Sequence, residues 1–283
     1  MILKLCRFET QGSVGIGAVK DHRIAPLQVD DVRTLDDLIA LDNDHRNLIL
    51  ANLDQREASI QLHDVRLLSP IVRPGKYLGI GLNYADHAAE AANLGLNKPN
   101  KQTWFNKQTS CISGPFDPVL RGNTVQLDYE VELGVVIGAV AKNVSVERAR
   151  DYVFGYFVAN DVSARDFQFH SPTITIGKSF DTHGPIGPWI VTADEIADPH
   201  ALQLRCLVNG ATRQEANTRD MIANIWEQIA YLSSAFTLYP GDLLATGTPS
   251  GVGVAMSPQQ FLQPGDVVRC EIEGVGTIEN RVE

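Results

Sequence analysis

Apolar and polar residues alternate most clearly between Asp128 and Gly138, where Val131, Leu133, Val135 and Ile137 occupy every second position. That period predicts a strand with one apolar face. The opposite face carries Glu130 and Glu132, then the side-chain-free Gly134 and Gly138. Carboxylates two residues apart on a strand point the same way, about 7 Å from each other. Burying two like charges is costly unless donors or a cation compensate them, and a hard divalent cation such as Mg2+ does so through oxygen ligands. The plainer reading is a solvated face whose glycines mark a bulge or tight packing.

The same patterning divides the rest of the chain. Leu3 to Phe8 and Val14 to Val19 read as strands, and Thr34–Ala40 and Asn43–Leu53 as helices capped by Thr34 and Asn43. The proline- and glycine-containing stretch from Leu68 to Lys76 is the natural boundary between a small unit (residues 1–70) and a larger one (71–283). A short strand then ends at Gly81, and Asn83 is placed to cap an alanine-rich helix on which His87 and Glu90, three apart, share a face. A carboxylate there can orient the imidazole as a general base, although an ordinary surface pair has the same spacing. Asn93 to Gln108 is polar and reads as a loop, a candidate cover for a site.

Ser145 is placed to cap a short helix through Arg150. Tyr152–Asp161 is an aromatic strand ending in a third carboxylate, followed by Arg165 and Gln168. Trp189–Val191 and Leu202–Asn209 read as strands, with Asn209-Gly210 as a hairpin turn. Thr218 to Phe236 carries the longest helical stripe, Met221, Ile222, Ile225, Trp226, Ile229 and Leu232, which predicts core packing. Two Pro-Gly-Asp units, at 240–242 and 264–266, each read as a turn feeding a strand. The glycine-rich loop 246–253 offers backbone amides and threonine hydroxyls that could bind a carboxylate.

Composition narrows the function classes. The 283 residues carry 24 basic and 34 acidic side chains, a formal net charge of −10. No basic run is present, which argues against nucleic-acid and anionic-membrane partners. Gly177-Lys178-Ser179 lacks the upstream glycine of a phosphate-binding loop, and Gly79 and Gly81 lack the rest of a dinucleotide fingerprint. The four cysteines are widely spread, which reads as buried thiols and not a zinc or disulfide framework. His22, His45 and His63 have no carboxylate cluster beside them and read as surface or structural histidines. With no signal-like or long apolar segment in the chain, the expected location is cytoplasmic.

Five motifs in order, GLNYADHAAE, DYEVELGVVIG, ANDVSARDFQ, GKSFDTHGPIGP and ATGTPSGVG, resemble the fumarylacetoacetate hydrolase superfamily in its shorter bacterial, acylpyruvase-like branch. They run from about Tyr77 to the C-terminus. The resemblance implies a β-rich α+β fold, with a mixed β-roll C-terminal domain and a small α+β N-terminal domain, in a homodimer. By position it implies Glu130, Glu132 and Asp161 as ligands of Mg2+ (or Mn2+), His87 and Glu90 as the general-base pair, and Lys178 as the active-site lysine. Arg165, Gln168 and Thr248 fall at substrate-side positions.

The implied reaction is hydrolysis of a carbon–carbon bond in a small 1,3-diketo acid. The rivals are an oxaloacetate-type decarboxylase, an isomerase or hydratase of a ring-cleavage product, a diketo-deoxy sugar acid hydrolase, and a non-catalytic binding protein. Three places depart from the family pattern: Thr173–Ile176, His183, and Trp104–Lys107. All flank the expected pocket, so they bear on the acyl group accepted.

Overall fold

The computed structural model describes residues 3–93 and 100–283. The chain opens with a meander of β1 (Lys4–Thr10), β2 (Ser13–Lys20) and β3 (Arg23–Pro26), followed by α1 (Leu35–Ala40) and α2 (Asn43–Gln55). Thr34 caps α1 in a capping box with Asp37. The cap of α2 is Asp42, not Asn43, because the Asp42 carboxylate accepts the N–H groups of Asp44 and His45. Next come β4 (Tyr77–Gly81), α3 (Ala85–Asn93), β5 (Thr103–Lys107), β6 (Val131–Ile137), β7 (Val153–Asn160), α4 (Arg165–Gln168) and β8 (Gly184–Thr192). The hairpin of β9 (Gln203–Val208) and β10 (Ala211–Asn217) leads to α5 (Ile225–Ala235), β11 (Leu243–Ala245), β12 (Val267–Ile272) and β13 (Gly276–Arg281).

The fold is strand-rich α+β. A twelve-stranded mixed sheet contains the order β3-β2-β1-β8-β7-β6-β11-β4-β5, and a four-stranded sheet has the order β10-β9-β12-β13. The antiparallel pairing of β1 with β8 carries the sheet from the first seventy residues into the rest of the chain. The only parallel neighbours in that order are β11 and β4.

Every residue of β6 is buried, on both faces. Val131, Leu133, Val135 and Ile137 pack with Ile225, Ile229 and Leu232 of α5 and with Leu204, Cys270 and Ile278 of the smaller sheet. On the other face Val136 joins Phe157, Ile186 and the α1 residues Leu35 and Leu38. The alternation predicted the first face correctly, but the second is not solvated. Gly134 lies opposite Phe157, whose ring comes within 2.2 Å of where a Cβ would stand. The glycine is therefore a packing residue, while the glutamates on the same face serve the site.

Local readings differ from the structure where distant contacts intervene. The expected loop and cover from Asn93 to Gln108 instead contains an edge strand, Thr103–Lys107, paired with β4; its residues 94–99 lie outside the described residues. The long helix from Thr218 begins only at Ile225, where Asn224 and Glu227 form a capping box. Met221 instead bridges to Tyr84, and Ile222 donates its N–H to the Asn83 carbonyl. Asn83 does not cap α3: its side chain bonds the carbonyls of Ala223 and Thr246 and the N–H of Ala223. The segment after Ser145 is a 3-10 helix.

Short-range turn chemistry holds throughout. Asn209 and Gly210 both have positive φ, 52° and 80°, as a tight hairpin requires. In both Pro-Gly-Asp units the aspartate accepts a backbone N–H from three residues upstream. The four cysteines are free and buried. No described helix is long and apolar enough to cross a membrane.

Candidate active site

Three strand ends and one glycine-rich loop bring the charged residues together. Glu130 immediately precedes β6, Glu132 lies within it, and Asp161 immediately follows the antiparallel neighbour β7. Asp161 N–H donates to the Glu130 carbonyl (2.9 Å), which ties the two ends in register. Ligand oxygens of Glu130, Glu132 and Asp161 lie within 4.8 Å of one another, all buried.

Cations converge on the same carboxylates. Lys178 Nζ donates to Glu130 Oε2 and Asp161 Oδ2, each at 2.7 Å. Lys107 donates to the other Asp161 oxygen and, at 2.9 Å, to the His183 carbonyl. Arg165 Nη1 pairs with Glu130 Oε1 (2.7 Å), and Arg165 Nε donates to Asp128 Oδ2 (2.9 Å). Burial alone would raise the Glu130 carboxyl, but Lys178 and Arg165 outweigh it and hold the group well below the usual carboxylate range. Glu132 is driven the opposite way, well above that range, by burial and by the charges of Asp161 and Glu130. Its contact is a neutral donor, the Gly247 N–H at 2.8 Å.

This oxygen-only donor set suits a hard divalent cation such as Mg2+ or Mn2+. The buried carboxylates Asp128, Glu130, Glu132 and Asp161 outnumber the cations Lys107, Arg165 and Lys178. A bound divalent ion would relieve the repulsion that raises Glu132.

The glycine-rich loop binds carboxylates, as its amides suggested, but they belong to the protein. Gly247 N–H goes to Glu132, Gly251 N–H to Glu90 (3.0 Å), and Gly253 and Val254 N–H to Asp128. The Thr248 hydroxyl donates to the Val131 carbonyl (3.0 Å) and accepts from Gln214. The loop thus fixes the acidic residues instead of presenting an empty anion cradle.

His87, Glu90, Glu130, Arg165, Gln168, Lys178 and Thr248 all line one cavity of about 520 Å³. Glu132 and Asp161 are buried beside Glu130. His87 Nδ1 and Glu90 Oε2 are 3.5 Å apart, a long contact of the kind that tightens when a ligand is bound. Gln168 Oε1 accepts from Arg165 Nη1 at 3.0 Å.

Two members of the cluster are not evident from the sequence pattern. The polarity of residues 93–108 points to a loop at Lys107, whereas the alternation of β5 turns it inward with Phe105. Asp128, beside Glu130 in its motif, had no assigned role, yet it is fully buried and anchors Arg165.

The chain is similar to known proteins over most of its length. Residues 76–283 match the fumarylacetoacetate hydrolase C-terminal family model. The mitochondrial oxaloacetate tautomerase of Xenopus laevis is 45% identical over 81% of this chain and 72% of its own. The fumarylacetoacetate hydrolase of psychrophilic Exiguobacterium antarcticum is 36% identical, with TM-score 0.83 over 99% of each chain. A maleylpyruvate hydrolase from Sphingobium, solved with manganese(II) and pyruvate, is 32% identical, with TM-score 0.80 over 99% of this chain and 98% of its own. The chain belongs to the fumarylacetoacetate hydrolase family.

Proposed function

We propose that this protein is a divalent-metal-dependent hydrolase that cleaves the carbon–carbon bond of an acylpyruvate-like 1,3-diketo acid. The observation that carries the reading is that the His87–Glu90 pair lines the same cavity as Glu130, Arg165 and Lys178. A base and an anion-stabilising cluster thus share one space. Glu130, Glu132 and Asp161 would hold Mg2+ or Mn2+, which when bound supplies a Lewis acid for the substrate's carboxylate and keto oxygens.

The side chains do the rest. His87, oriented by Glu90, takes a proton from water, and the oxygen attacks the distal carbonyl. The carbon–carbon bond breaks toward the pyruvate half, and its electron pair becomes an enolate that is protonated at carbon. Lys178, ion-paired with Glu130 and Asp161, offers fixed positive charge to that enolate. Glu90 is itself held by the Gly251 N–H, which fixes the carboxylate toward which His87 turns.

The test is loss of the enol absorbance of acetylpyruvate with Mg2+ or Mn2+, and with excess EDTA, with products identified. Pyruvate and acetate should form only with metal. His87→Ala should lower kcat about 10²–10⁴-fold and keep Mn2+ binding. Near-normal hydrolysis by that variant would remove the water-activating role.

The similarity to the oxaloacetate tautomerase favours a second reading, enol–keto interconversion at the same site. That reaction moves protons without an attacking water. It would be identified by equilibration of oxaloacetate tautomers with no cleavage of acetylpyruvate.

A further inference from the structure

We infer that the apolar wall of the cavity selects an uncharged, apolar acyl group, with Ile174 as a specificity-determining residue. This rests on the keto-acid reading and concerns the half of the substrate that reading leaves open. The cavity, about 520 Å³, falls within the roughly 300–1,000 Å³ typical of sites for drug-sized ligands. It has room for more than a short diketo acid.

Its lysine and arginine are already engaged. Among the described residues, the lysine and arginine on its wall are Lys178 and Arg165. Lys178 is already paired with Glu130 and Asp161, and Arg165 with Asp128 and Glu130. The other titratable groups on the wall are Glu130, the His87–Glu90 pair and His170, an exposed residue whose ring lies 4.9 Å from that of Phe167. Lys101 lines an adjoining cavity that shares Ile80, Gly81 and Leu82 with this one. The rest of the wall is largely apolar, including Ile80, Leu82, Phe105, Ile174, Val252 and Val254.

A distal carboxylate against that wall would exchange water for aliphatic carbon without gaining an unengaged lysine or arginine among the described residues that line it, which is costly. A methylene chain would gain from the same exchange.

Ile174 adds an independent sign. Its φ is +51°, a region that β-branched residues avoid and that is held only where the surroundings impose it. The turn is closed by its N–H on the Ser171 carbonyl at 3.1 Å. The strained backbone sets this side chain on the cavity wall, within one of the segments that depart from the family pattern.

The experiment is equilibrium binding to Mn2+-loaded protein of two acids of equal length, 2-oxohexanoate and 2-oxoadipate. The first should bind at least about tenfold more tightly. From 2-oxobutanoate to 2-oxohexanoate, affinity should rise about threefold to fivefold per methylene, as burying one CH2 predicts. Ile174→Arg should narrow or reverse the preference, and Val254→Lys serves the same purpose if the first variant does not fold.

Equal or tighter binding of 2-oxoadipate by the unaltered protein would overturn the inference. These acids need no carbon–carbon cleavage, so the result is separable from the reaction. Absence of acetylpyruvate turnover with the binding preference intact removes the hydrolase reading alone. Turnover with tighter 2-oxoadipate binding removes the inference alone.

Discussion

On the smaller sheet, Arg205 and Arg269 converge on Glu271, and Arg269 also reaches Glu279 at 3.5 Å. At the cavity, Lys107, Lys178 and Arg165 converge on Asp161, Glu130 and Asp128. The two clusters use the same chemistry at opposite extremes of exposure. The side chains of Arg205 and Arg269 are 53% and 47% exposed, those of Lys178 and Lys107 3% and 0%. A solvated pair contributes about 0–1 kcal/mol. A buried pair carries a desolvation cost of several kcal/mol per ion, which mutual attraction offsets only in good geometry. Stability alone therefore accounts poorly for the buried cluster. Its surplus carboxylate, Glu132, is the one that has no lysine or arginine ion pair among the described residues, and that makes the cluster suited to a metal ion.

The largest effect is expected from Glu130→Gln, which leaves Arg165 and Lys178 facing a neutral amide in a buried site. Chemical denaturation should show a loss of about 3–5 kcal/mol, and calorimetry a Mn2+ affinity lowered at least about tenfold. Unchanged values in both would erase the distinction drawn between the clusters.

Lys107→Met should be nearly as damaging in EDTA, about 3 kcal/mol, because Asp161 and the His183 carbonyl lose their buried donor. If Lys107 offsets negative charge in the cluster, added Mn2+ should recover part of the loss. The metal-induced rise in Tm would then exceed that of the unaltered protein. An equal rise would assign Lys107 a packing role only.

Beside Lys107, burial pulls the His183 imidazole down to about 4 from an ordinary 6.5. The unfolded chain takes up a proton below about pH 6.5, and the folded chain does so only near 4. Stability is therefore complete above about 6.5 and falls with pH across that window, by roughly 3 kcal/mol. His183→Gln should flatten this part of the pH profile in denaturant titrations. The same slope in both proteins would assign the acid sensitivity to other groups.

The smallest effect belongs to Glu271→Gln on the exposed sheet. Under about 1 kcal/mol should be lost, and less still in high salt. A loss of several kcal/mol would show that exposure is a poor guide to these clusters.

What could be read from the chain was local. A period of two assigned Val131, Leu133, Val135 and Ile137 to one face and set Glu130 and Glu132 on the other, because successive strand side chains alternate. A spacing of three put His87 and Glu90 on one helix face. Asn209-Gly210 and both Pro-Gly-Asp turns were legible because turn geometry is decided by the residues inside it. Motif order carried the family.

Only the tertiary structure decided what those residues meet. Gly134 makes room for Phe157 of the adjacent strand, a fact about its partner. Lys107 reaches Asp161 across 54 positions, Asn83 reaches Thr246 across 163, and Gly251 reaches Glu90 across 161. Helix α5 starts at Ile225 because the preceding residues are held by Tyr84 and Asn83. Periodicity reports which way a side chain points. Burial and charge compensation depend on groups far apart in the chain, and those decide that this strand face carries buried carboxylates beside a cavity and not a solvated surface.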